Sequence, residues 1–383
     1  MRLAVLSVVA LIAATPVMAR NWDGNNNPSK LTNLTGKRVV TQFSALPLSA
    51  ELSNPHYIWS DTFWAANKGG IAYRWNAEPN PQLFRYRMMT KEQVKAAPLS
   101  ELEKLSPAEK YDIFMGNYDY PLTRKVLSQN SPRDLWWEGI CHGWSQAAVM
   151  HIEPARNDIR SADGVVVPFG SSDVKGLLDL YYAKVHQTNR RFQIGQRCKA
   201  IGKVPGEGDS RDRVTAEPSE RERNSANCSD INAGAFHVAL ANMIGVNDMG
   251  LVVEIDRYND VWNQPVGKYE SEVVSTSRTR TGSVVRMKMK MTYGEELNLL
   301  TPEERDDEGG FMSMDPVTGT PNNTTRTRTY EYTLELDQNG NVTGGEWISN
   351  TRPDFIWSKA GTTRFVNDGY GLSGLNQIYV PVR

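Results

Sequence analysis

Asp134-Leu-Trp-Trp-Glu-Gly-Ile-Cys-His-Gly-Trp-Ser-Gln-Ala-Ala-Val149 is the stretch around which the rest of the chain is read. Leu135, Trp136 and Trp137 form a short apolar run, and Gly139 breaks it just ahead of Cys141. From 143 to 150 the pattern turns helical, with Trp144, Ala147 and Ala148 on one face. This places Cys141 on the first turn of a buried helix. There the amide groups and the positive end of the helix dipole favour a thiolate. A thiol nucleophile needs that help, because an unperturbed cysteine, with a pKa of about 8.5, is mostly neutral at pH 7. The rival reading is a structural cysteine in an aromatic core.

Residues 1–19 read as an export signal. Met1-Arg2 is the basic start, 3–14 the apolar run, and Val17-Met18-Ala19 the small-residue cleavage site. The run is too short to cross a bilayer, and no later stretch qualifies. A secreted or periplasmic protein without a membrane span is expected. The formal net charge is −1. With a balance this close to neutral, neither nucleic acid nor an anionic membrane is an expected partner.

The three cysteines are Cys141, Cys198 and Cys228. An oxidising compartment favours pairing, and an odd number leaves one thiol over. Cys198 and Cys228 bracket the polar stretch 199–227, which has little apolar pattern of its own. A disulfide there would stabilise by roughly 3–4 kcal/mol in the chain-entropy model. Cys141 is then the free thiol.

Elsewhere, 38–46 suits a short strand and 100–114 a helix, with Ser106 as cap and Pro107 at the first helical position. A strand over 165–169 follows the Asp163-Gly164 turn. An amphipathic helix over 171–185 carries Val174, Leu177, Leu178, Tyr181 and Tyr182 on one stripe. The apolar runs 237–244 and 251–256 read as neighbouring antiparallel strands. From Glu272 onward polarity alternates. Met287, Met289 and Met291 share one side of 284–293, and 325–336 leads to an Asn339-Gly340 hairpin before 342–348. Asp306-Asp307-Glu308 lies in the polar loop 302–321, and its spacing fits no calcium loop. No residue set demands a metal or other cofactor, and calcium stays open.

A cysteine nucleophile needs a base, usually histidine. Five exist: His56, His142, His151, His186 and His237. His142 leaves the helix in another direction, His151 lies nearly three turns on, His186 ends a helix in a polar setting, and His56 sits in a loop. Elimination favours His237, at the mouth of an apolar run. The third group, which orients the imidazole, is assigned to Asp256. Asp260 would lie roughly 13 Å further along a strand, and Asn263 can do the same job through its amide.

Gly139-Ile-Cys141-His-Gly-Trp144, the downstream His237 and Val261-Trp-Asn-Gln-Pro-Val266 together resemble the secreted transglutaminase elicitor family. The match is specific over 136–269 and suggestive at 73–75 and 106–122. Gly267-Lys268-Tyr269 departs from the order found in the elicitor peptide. The resemblance implies a papain-like core with Cys, His and Asp in the chain order found here.

The expected fold is α+β, a papain-like, transglutaminase-type cysteine-enzyme core with a β-rich C-terminal portion. A segment at 20–125 packs on a catalytic core at 126–275, and 276–383 forms the β-rich portion. The expected activity is a protein-glutamine γ-glutamyltransferase acting on glutamine- and lysine-bearing proteins. Cys141 forms the thioester, His237 moves the proton and Asp256 orients it. The backbone N–H of Cys141 and an indole N–H of Trp136 or Trp137 hold the oxyanion, while Trp136, Trp137 and Trp144 exclude water. A cysteine peptidase or amidase on the same core, and a non-catalytic interaction protein, are the two rivals.

Overall fold

The computed structural model describes residues 22–74, 84–197, 230–255, 261–297 and 324–383. Its strands are β1 (Ser49–Glu51), β2 (Asp61–Thr62), β3 (Asn157–Arg160), β4 (Val166–Phe169), β5 (Arg191–Gly195) and β6 (Leu251–Glu254). They continue with β7 (Asn263–Thr279), β8 (Gly282–Gly294), β9 (Glu296–Leu297), β10 (Thr325–Asp337), β11 (Val342–Trp347) and β12 (Phe355–Lys359). One antiparallel sheet runs β11-β10-β8-β7-β6-β12-β5, with β1 added alongside β7. Two small pairs stand apart: the parallel β2–β9 and the antiparallel β3–β4.

The alternation from 284 onward builds the centre of this sheet. Met287, Met289 and Met291 are buried, and Met287 and Met289 pair across the ladder with the buried Tyr332 and Tyr330. The Asn339-Gly340 signal produces the β10–β11 hairpin. Gly340 takes a positive φ of 79° there, and Asp337 accepts the backbone N–H groups of Asn339 and Asn341. The boundary expected at residue 275 falls inside β7, whose long hairpin with β8 carries the sheet straight through it.

Side chains on neighbouring strands divide between the two faces with period two. Leu251, Val253, Val266 and Ile356 join one core, which also holds Phe236, Val238 and Leu240 of the helix Ala233–Leu240. On the opposite face lies the helix Cys141–Met150, in a core with the helices Pro107–Phe114 and Ser171–Leu180 and with 59–73. Each face of the sheet is thus covered by helix.

The helix read over 100–114 is two short pieces, Leu99–Leu102 and Pro107–Phe114. The second opens with a capping box between Ser106 and Glu109. Ser171–Leu180 continues as a wider turn through Tyr181–Val185, so that segment is helical as read. Two strand readings are corrected. Residues 237–244 are helix, because Asn232 caps the backbone N–H groups of Gly234 and Ala235 and the run is buried on every side. Residues 38–46 hold a single bridge at Gln42 and a helical turn at Phe43–Ala45.

Candidate active site

The helix bearing Cys141 begins where the chain is held from both sides. Ile140 N–H donates to the Phe63 carbonyl at 2.7 Å and Ala66 N–H to the Glu138 carbonyl at 2.8 Å. A Cβ on Gly139 would sit 2.3 Å from the Phe63 oxygen, so only glycine allows this lacing. Further along, the Gln146 amide donates to the Lys359 carbonyl at 3.0 Å and accepts the Lys359 N–H at 2.9 Å. The helix is thereby anchored to β12, and the thiol is carried on a rigid element.

Cys141 is buried. Its Sγ lies 3.6 Å from the Val261 carbonyl oxygen and 3.7 Å from Asn263 Nδ2. Asn263 opens β7 opposite Glu254, and its Oδ1 accepts the indole N–H of Trp357 at 2.8 Å. An indole can only donate, so Trp357 fixes the carbonyl side of the amide and turns the NH2 group toward the sulfur. A cleft of about 490 Å3 opens beside the thiol, lined by Trp64, Trp137, Gly139, His142, Lys184 and Asn263 among others.

Burial pushes the Cys141 thiol up to about 12, with the charge of Glu296 acting in the same direction, while Asn263 and the His142 N–H oppose it. Glu296 itself is pushed up to about 8 by burial. At pH 7 the resting pair is a thiol and a carboxylic acid, and neither carries charge. The helix start and the Asn263 amide favour a thiolate, against burial and Glu296.

The structure brings Cys141 and Asn263 together, with Trp137 on the cleft wall. Trp136 is 64% exposed and leans on Trp262 at 5.7 Å between ring centroids. Trp144 is a core residue: it is fully buried, and its indole N–H donates to the Trp59 carbonyl at 3.1 Å. It does not line the cleft.

His237 is not brought to Cys141. It belongs to the helix Ala233–Leu240 on the far face of the sheet, where its Nδ1 meets the Tyr332 hydroxyl at 2.8 Å. Burial drops it to about 4. The sheet stands between this imidazole and the sulfur. His142 lines the cleft and is dropped to about 4, chiefly by burial. His151 is tied to the Tyr182 hydroxyl and His186 to the Ala360 carbonyl. Asp256 and Asp260, the Cys198–Cys228 pair and the acidic loop at 306–308 lie outside the described residues. Among the described residues no cluster of three or more His, Cys, Asp or Glu could hold a metal, and no helix is long and apolar enough to cross a membrane.

Glu296 and Trp357 escaped the sequence reading. Glu296 lies in a two-residue strand and is placed by the long-range β2–β9 pairing. Trp357 carries no local signal beyond an apolar-polar alternation in Phe355–Lys359.

With this geometry in place, the comparisons with known proteins fall on the same region. The family model for the transglutaminase elicitor matches residues 134–373, more than half of the chain, from the start of the Cys141 stretch to beyond β12. The chain belongs to the transglutaminase elicitor family. Its fold is similar to that in the crystal structure of the GP42 transglutaminase from Phytophthora sojae, with a TM-score of 0.61 and 19% identity. The alignment covers 93% of this chain and 97% of that one. At that identity the likeness is one of fold. No curated protein matches the sequence.

Proposed function

We propose that the protein is a secreted protein-glutamine γ-glutamyltransferase with Cys141 as its nucleophile. One observation carries the reading: a lone thiol at a helix start, facing a cleft, with an oriented amide donor aimed at its sulfur. Membership of the transglutaminase elicitor family supports the same chemistry.

In this reading the Cys141 sulfur attacks the side-chain carbonyl carbon of a glutamine and gives its proton to the Glu296 carboxylate. Asn263 Nδ2 steadies the developing negative charge at sulfur, and backbone N–H groups of the first helical turn face the oxyanion. Glu296 returns the proton to the departing nitrogen, and ammonia leaves behind a thioester. A lysine amine then attacks the thioester carbon, passes its proton to Glu296, and the thiol is restored as the isopeptide forms. A carboxyl group that titrates near 8 suits both halves of this exchange at mildly alkaline pH. Trp137 and Trp64 wall the cleft and limit competition from water.

Mass spectrometry of the enzyme mixed with a glutamine peptide tests the covalent step. The account expects a mass gain of the peptide less ammonia, mapped to Cys141. A peptide cut at its backbone, with no such adduct, would favour a peptidase.

A further inference from the structure

Trp64 has one indole N–H, and two buried carboxyl groups accept it: Asp61 Oδ2 at 3.0 Å and Asp179 Oδ2 at 3.1 Å. The other oxygen of each, Oδ1, is buried without a hydrogen-bond partner among the described residues. The charged neighbours are few. Lys175, on the same helix as Asp179, is held by Glu153 at 2.6 Å and by the Ser60 carbonyl at 2.7 Å. Glu296 is the register partner of Asp61 across β2–β9. Among the described residues, Lys175 is the cation that faces Glu153, Asp61 and Asp179 together.

Two bare carboxylates sealed from water and bound to one N–H would repel each other and leave lone pairs unmet. One proton between them removes both costs, because the protonated group donates to the other. We propose that Asp61 and Asp179 share a single proton, and that this pair positions Cys141. The second half of the proposal rests on Cys141 being the nucleophile.

The path from the pair to the thiol is short. The shared indole pins 61–64 to the helix Ser171–Leu180. Residues 63–66 are laced in turn to 138–140, which launch the Cys141 helix. The loop closes on itself, since Gly143 lies so near the Asp179 carbonyl that a Cβ there would come within 2.1 Å of its oxygen. Burial raises both carboxyl groups, Asp61 to about 6 and Asp179 well above its ordinary value. Both directions agree with a retained proton.

Infrared difference spectra of wild type against Asp61→Asn and Asp179→Asn test the sharing, and need no turnover. At pH 7, above the range of Asp61 and with the Glu296 carboxyl common to all three proteins and cancelling in the difference, one further protonated-carboxyl stretch should be present in wild type and lost in either variant. In each variant the amide takes over as donor to the remaining carboxylate. If the stretch survives in both variants, no proton is shared and the proposal falls.

The positioning arm compares kcat and KM for amine transfer. Asp61→Ala should lower kcat by about tenfold with little change in KM, and Asp61→Asn should restore most of it. Equal loss in the two variants, or a loss confined to KM, would overturn positioning. Should wild type transfer no amine, the alkylation rate of Cys141 replaces kcat. The infrared result then stands apart from the failure of the transfer reading.

Discussion

The side-chain amide of Asn263 is clamped between two groups: its oxygen accepts the Trp357 indole at 2.8 Å, and its nitrogen faces the Cys141 sulfur at 3.7 Å. Asn263→Ala removes the donor and should lower kcat for amine transfer by about 10²-fold, the loss typical of one missing donor at a charged transition state. Trp357→Phe keeps the ring and releases only the clamp. Its loss should be near fivefold, about 1 kcal/mol. Steady-state kinetics on folded variants check the order. A larger loss from Trp357→Phe than from Asn263→Ala would contradict it.

Glu296 gives the protein a pH dependence with a definite sign. Its folded-state pKa of about 8 lies above the ordinary 4.5, so the folded protein binds this proton more tightly. The stabilisation is complete below pH 4.5 and drains away as pH rises to about 8. Asp61 and Asp112, each raised to about 6 by burial, lose theirs at lower pH. Between pH 6 and 8, wild type should therefore lose thermal stability faster than Glu296→Gln. If Glu296 takes the thiol proton, Cys141 alkylation should rise as this carboxyl ionises near pH 8, and Glu296→Gln should abolish that rise. Parallel melting curves for the two proteins over this window would show that Glu296 titrates elsewhere.

His237 supplies a test in the opposite direction. Because it lies across the sheet from the thiol, His237→Gln should leave amine transfer within a factor of a few while lowering stability by about 1–3 kcal/mol, the cost of disturbing its buried bond to Tyr332. Chemical denaturation and kinetics on the same samples separate the two effects. A folded His237→Gln protein that has lost all transfer would return the histidine to the mechanism.

Gly143 marks where the Cys141 helix touches its neighbour most closely. A Cβ there meets the Asp179 carbonyl oxygen at 2.1 Å and the Ala183 side chain at 2.9 Å. Gly143→Ala should cost about 3 kcal/mol, at the upper end for overpacking. The melting temperature should fall accordingly, and one unchanged from wild type would contradict the packing.

Much of the architecture was legible because it is local. The Gly139 break and the Trp144, Ala147, Ala148 face announce the Cys141 helix. The Met287, Met289, Met291 alternation and the Asn339-Gly340 turn announce β8 and the β10–β11 hairpin. What misled was a run without period. Residues 237–244 are buried all round, so their mostly apolar run shows no helical period, and the Asn232 cap is what distinguishes them from a strand. That error carried His237 toward the thiol. Two members were hidden for a different reason: Trp357 and Glu296 join Asn263, which the sequence had offered, only through sheet register and a two-residue parallel pairing. Such long-range pairing leaves no mark on the neighbouring residues.

The most direct measurement is incorporation of a fluorescent primary amine into a glutamine-rich protein by wild type and by Cys141→Ala, each with and without calcium. The account predicts incorporation by wild type and none by the variant. Equal incorporation by both, or none by a folded wild type under either condition, would contradict the assignment of Cys141 as the acyl-transferring nucleophile.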